Sequence, residues 1–147
     1  MINIKKYTQD QFIVSDEFEK CQDIYLDRFF IEEELSFEGI SGVIVYTYTI
    51  QGDLIGYGSY QLNSAFYLID IVFNDRWRFS DKHSELFNFI KNEILNINPN
   101  KTICLYQTFE DDCKFYLNMG FNLYKDYGQF FKTGQDVMRF VLDNRSK

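Results

Sequence analysis

The residues of this 147-residue chain best suited to chemistry are one carboxylate, one imidazole and a short cationic segment. Asp70 is the one acid within the apolar run Phe66 to Phe73. A carboxyl desolvated there gains a raised pKa and can take a proton from a nucleophile, directly or through water, whereas on the solvent face of a strand it is an ordinary surface acid. His83 is the only histidine. Alone at the start of a helical segment it reads as a surface residue or an anion contact more readily than as a base, and it cannot build a metal site by itself. No metal centre is expected. Between Asn74 and His83, Arg76, Arg78 and Lys82 stand against Asp75 and Asp81, a local excess of one positive charge inside a chain of net charge −7. Glu32, Glu33, Glu34 and Glu38 form an acidic run that is either a solvated face or an attraction for a cationic amine. Cys21, Cys104 and Cys113 lie among apolar neighbours with no paired spacing, which suits buried, reduced thiols.

These groups must be positioned by an alternation of strands and helices. Ile2 and Ile4 alternate with polar residues as a short first strand. From Asp16, Phe18, Cys21, Tyr25 and Phe29 recur at helical spacing, with a continuation expected through the glutamates to Leu35. Gly42–Ile50 and Leu54–Gln61 flank Gln51-Gly52-Asp53 and read as a hairpin, and Ala65–Phe73 is a more apolar, central strand. Leu86, Phe87, Ile90, Ile94 and Leu95 line a helix ending near Asn98-Pro99. Thr102–Tyr106 is a strand, and Glu110–Met119 a helix stopped by Gly120. Phe121–Phe131 and Gln135–Leu142 make a last hairpin through Lys132-Thr133-Gly134. The order is β-α-β-β-β-α-β-α-β-β, an α/β (α+β) arrangement in one domain spanning residues 1–147.

That order, with three local patterns, resembles the GNAT superfamily of acyl-CoA-dependent N-acetyltransferases along essentially the whole chain. Phe115-Tyr116-Leu117-Asn118-Met119-Gly120-Phe121 is similar to the aromatic-Tyr pair and following Gly-Phe near the family's last helix. Val137-Met138-Arg139-Phe140-Val141-Leu142 resembles its closing strand, and Ile71-Val72-Phe73-Asn74-Asp75-Arg76-Trp77-Arg78 the approach to its pyrophosphate loop. The resemblance implies a mixed, mostly antiparallel central sheet of about seven strands flanked by helices. It also implies acetyl-CoA as acyl donor and an amine of a small molecule or peptide as acceptor. Tyr116 matches the tyrosine that reprotonates the departing thiolate, and its other reading is a core ring. Ile71, Val72 and Phe73 match the strand whose backbone holds the thioester. Arg78, Phe79, Ser80, Asp81, Lys82 and His83 match the pyrophosphate loop. That loop is degenerate here. The family's Arg-x-x-Gly-x-Gly or Ala, often with a further Gly directly after the Arg, is replaced by side chains at Phe79, Asp81 and His83. Phe109 and Asp112 stand where an Asn and a small residue are frequent.

Composition narrows the rest. Sixteen Phe and eleven Tyr supply a ring-filled core or a ring-lined face for a ligand or a second copy of the chain. Net negative charge without a Lys/Arg block disfavours nucleic acid. The absence of a long apolar run or a leader-like start disfavours a membrane partner and points to the cytoplasm. Two functions follow: an N-acetyltransferase, or a catalytically inactive scaffold of the same fold that has lost its cofactor loop and serves as a binding or interaction module.

Overall fold

Thr8 ends the first strand and starts the first helix. Its hydroxyl accepts the Gln11 N–H at 3.3 Å while the Gln11 side chain accepts the Thr8 N–H at 3.0 Å, a reciprocal capping box. The box nucleates a five-residue helix, α1 (Gln9–Ile13), which is additional to the expected order. Ser15 closes it, its N–H and hydroxyl both donating to the Phe12 carbonyl, and α2 (Glu17–Phe29) follows.

The computed structural model describes residues 2–29, 42–62, 66–99, 102–107, 110–119, 122–129 and 136–142. The expected continuation of α2 to Leu35, the four-glutamate run, Phe109, Gly120 and the Lys132-Thr133-Gly134 turn lie outside them. The remaining elements are β1 (Ile2–Thr8), β2 (Ile44–Ile50), β3 (Asp53–Leu62), β4 (Phe66–Phe73), α3 (Asp81–Ile97), β5 (Thr102–Gln107), α4 (Glu110–Asn118), β6 (Asn122–Gln129) and β7 (Asp136–Leu142). The seven strands run in the order β1-β2-β3-β4-β5-β7-β6. Contacts group into two units, residues 1–61 with 71–90 and residues 62–70 with 91–147, described here in turn.

In the first unit β1 pairs antiparallel with β2 from Ile2↔Ile50 to Thr8↔Ile44, and β2 pairs antiparallel with β3. Gln51 and Gly52 both take positive φ, 51° and 87°, which lets a two-residue turn match the twist of the strands. Val45, Tyr46, Thr47, Tyr48 and Thr49 are all buried, because helices cover both faces of β2. On one face Val43, Val45, Tyr57 and Val72 pack with Phe12 of α1 and Cys21 and Ile24 of α2. On the other, the Tyr46 ring meets Phe89 of α3 edge-on at 5.7 Å and the Tyr48 hydroxyl donates to Glu85 of α3.

In the second unit β4 pairs parallel with β5 over Phe66↔Thr102, Tyr67↔Ile103 and Leu68↔Cys104. β7 lies antiparallel to both β5 and β6, with register shifts in the β6 ladder at Leu123/Lys125 and Tyr127/Gln129. Ile103, Cys104 and Leu105 are buried, as is Tyr116 on α4. Cys21 and Cys104 are buried, as expected; the side chain of Cys113 lies outside the described residues. Among the described residues no helix is long and apolar enough to cross a membrane, and no cluster of ligating side chains could hold a metal ion.

Candidate active site

The loop between β4 and α3 is built from its own hydrogen bonds. Asn74 N–H donates to the Ile55 carbonyl of β3 at 3.0 Å, anchoring the end of β4. The Asn74 carbonyl then accepts from both Trp77 N–H and Arg78 N–H, and Ser80 N–H donates to the Trp77 carbonyl, winding the chain into the helix. Ser80 caps α3: its hydroxyl accepts the Lys82 N–H at 3.1 Å, and its carbonyl accepts the Ser84 N–H.

Phe79 sits inside this turn at φ 65°, in the left-handed region. For a residue with a Cβ that conformation costs roughly 1 to 2 kcal/mol, which is why glycine is favoured at such places. The turn survives because the surroundings fix it. Phe79 N–H donates to His83 Nδ1 at 3.2 Å, and the imidazole stacks on two phenyl rings, Phe73 at 5.1 Å and Phe79 at 5.9 Å. An Nδ1 that accepts a hydrogen bond puts the proton of the neutral ring on Nε2. His83 is only 2% exposed, so the expectation of a surface histidine is corrected. Its ring stacks on both Phe73 and Phe79, and the helix that carries it turns it inward.

The cations of the loop divide. The Arg78 guanidinium is turned back on its own segment, with Nη1 2.6 Å from Asp75 Oδ1 and Nη2 donating to the Phe73 carbonyl at 3.3 Å. Arg76 lies over the Trp77 ring, 5.2 Å from its centroid. Lys82 Nζ is 3.8 Å from Asp81 Oδ2, and the Asp81 side chain is 84% exposed, so its carboxylate faces water at the helix start. Ile71, Val72 and Phe73 are all buried at the end of β4.

In the second unit Tyr116 is fully buried, one helical turn after the buried Asp112. Burial first, and then the negative charges of Asp112 and Asp70, push its phenol well above the usual tyrosine range. The two candidate proton-transfer residues, Tyr116 and Asp70, therefore act on each other electrostatically, while Asp70 itself is exposed, the solvent-facing alternative for that strand position.

Sequence reasoning missed a second polar centre, on the opposite face of β2 from α3. One oxygen of Glu17 accepts from both the Tyr7 hydroxyl at 2.6 Å and the buried Thr47 hydroxyl at 2.7 Å. Burial, then the hydrogen bond and charge of Glu17, raise the Tyr7 phenol to about 12. The available signal was Thr47 itself, a hydroxyl in the middle of an apolar strand that needs a partner. A groove of about 680 Å³ opens beside the loop, lined among others by Lys20, Asp23, Asn74, Arg76 and Trp77.

No protein-family model and no curated protein sequence matches this chain. Solved structures do. An N-acetyltransferase from Staphylococcus aureus Mu50 aligns with a TM-score of 0.77 at 19% identity, over 99% of this chain and 99% of its own. ElaA from Escherichia coli aligns at 0.74 and 13% identity, over 97% and 100%. The ribosomal-protein-S18-alanine N-acetyltransferase from Escherichia coli aligns at 0.70 and 12% identity, over 97% and 94%. The chain has the fold of the GNAT N-acetyltransferases; among the described residues it has the seven strands that the sequence order implied and one short helix more.

Acetyl-CoA, which that fold implies, meets a loop that fits a diphosphate in kind. The left-handed turn at Phe79 and the start of α3 keep the backbone shape that glycines make cheap. The acceptors now on the Phe79 and Lys82 N–H groups, His83 Nδ1 and Ser80 Oγ, are single atoms of the sort a phosphate oxygen replaces.

Proposed function

We propose that residues 1–147 form one domain acting as an acyl-CoA-dependent N-acyltransferase on an amine of a small molecule or peptide. The observation that carries this reading is Phe79: a bulky residue held in a left-handed turn at the mouth of α3 keeps, against its own preference, a loop shape suited to an anion. Arg78, Phe79, Ser80, Asp81, Lys82 and His83 would hold the diphosphate, through backbone N–H groups and the Arg78 and Lys82 cations. The backbone of Ile71, Val72 and Phe73 would hold the thioester arm. When bound, acetyl-CoA supplies the activated acyl group.

The chain's own residues then manage protons. Tyr116 keeps its phenol protonated at any working pH, since burial and two nearby carboxylates oppose its ionisation, and it is the proton donor for a departing thiolate. Asp70, exposed on β4, takes the proton released by the amine, directly or through water. The burial of Tyr116 excludes bulk water from competing as a donor. The test is calorimetry with acetyl-CoA, followed by thiol release in the presence of a panel of primary amines. Binding and amine-dependent release support the reading; no heat with millimolar acetyl-CoA ends it.

A second reading is favoured by one specific feature. Two loop N–H groups are already satisfied by side chains, and Arg78 is tied to Asp75 and Phe73. A loop content without a ligand suits a scaffold of this fold that serves as an interaction module. The same calorimetric null result would select it.

A further inference from the structure

His83 does a job that neither a core aromatic nor a surface imidazole requires. Its Nδ1 faces the backbone N–H of a residue four positions earlier, at 3.2 Å, and its ring is stacked on two phenyl rings. Gly56 of β3 makes room for the inner ring: a Cβ there would meet Phe73 Cδ2 at 2.5 Å. The outer ring belongs to Phe79, whose own N–H is the donor. The two halves of the arrangement reinforce one another. The left-handed turn at Phe79 aims its N–H at His83, and the stacked ring of His83 holds the turn.

We propose that His83 is an internal ligand of the β4–α3 loop, its Nδ1 filling from within the place of an anionic oxygen, so that an anion bound there must exchange against the imidazole. Ser80 plays the smaller part, its hydroxyl occupying the Lys82 N–H from the cap position. The loop is thus preformed and occupied at once. Preformation favours binding, because the turn need not be ordered anew; occupation opposes it, because one hydrogen bond is given up for each one gained. The exchange, though not the internal contact, rests on the acyl-CoA reading above.

The experiment separates the two. His83→Phe keeps a flat ring to stack on Phe73 and Phe79 but removes the acceptor; His83→Ala, checked for folding by circular dichroism, is the second variant. Amide hydrogen exchange at Phe79 is followed by NMR without any ligand, and affinity for coenzyme A and for inorganic pyrophosphate is measured by calorimetry. The expected result is exchange at Phe79 faster by about two- to tenfold in His83→Phe, with coenzyme A bound about two- to tenfold more tightly than by the wild type. Nitrogen-15 shifts of His83 in the wild type should show the Nε2–H tautomer. Unchanged Phe79 exchange, or an Nδ1–H tautomer, overturns the internal-ligand assignment. Faster exchange with coenzyme A bound equally by both proteins overturns the competition. Faster exchange with no binding by either leaves the internal contact supported and removes the acyl-CoA reading instead.

Discussion

The ring of Phe73 occupies the space that a side chain at Gly56 would need: a methyl placed there would lie 2.5 Å from Cδ2 and 2.6 Å from Cγ. The atoms in the way belong to a buried ring that is also stacked on His83, so the ring cannot swing aside without unpacking the start of α3. Gly56→Ala should therefore destabilise the protein by about 1 to 3 kcal/mol, the usual effect of overpacking a core. Urea denaturation with an unchanged m-value checks it; a loss under about 0.5 kcal/mol would mean that Phe73 has another rotamer to hand.

Three tyrosines make stability fall in alkali. The phenols of Tyr7, Tyr48 and Tyr116 are all raised by burial and then by carboxylates: Glu17 for Tyr7, Glu85 and Asp81 for Tyr48, and Asp112 and Asp70 for Tyr116. The folded chain keeps these protons at pH values where the unfolded chain, near the ordinary 10.0, gives them up. Their contribution is whole below about pH 10 and is lost as pH rises toward 12. Urea midpoints should drop as pH rises from about 10 toward 12, and the drop should be shallower in Tyr7→Phe. A flat profile would contradict the proton retention.

The described thiols should be silent until the chain opens. Cys21 and Cys104 are buried, and burial together with the charge of Glu17 pushes the Cys21 thiol up, away from the reactive thiolate. Alkylation followed by peptide mass mapping should label both slowly in the native protein and fully in denaturant. Rapid native labelling of Cys21 would show that α2 lifts from the sheet.

Tyr116→Phe removes one buried hydroxyl and leaves the ring. If the phenol is the proton donor, acyl transfer should fall by about 10²- to 10⁴-fold while the unfolding midpoint moves little and KM stays near its wild-type value. An unchanged rate would return Tyr116 to the role of a core ring.

The parts of the fold legible in the sequence are those whose pattern is local. Gln51-Gly52 between β-branched runs gives the hairpin because only certain residues tolerate two positive φ values in succession. Leu86, Phe87, Ile90 and Ile94, all buried, give α3 because one face of a long helix repeats its own signal. α1 left no such period in five residues; its mark is the Thr8 and Gln11 pair, read only once the capping box is seen. Positions in the candidate site were legible, and their surroundings were not. His83 looks like a surface residue beside charged neighbours, and only the approach of Phe73 across Gly56 turns it into a buried acceptor. Glu17 escaped notice because its two donors, Tyr7 and Thr47, come from two different strands.

The chain has a single tryptophan, and it lies in the turn between β4 and α3. Its indole emission is thus an unlabelled optical gauge of that turn, with no second indole in the sequence to blur it. With a guanidinium over the ring, caesium should quench it poorly and iodide well, and whatever rearranges the neighbourhood of Arg76 should change that contrast.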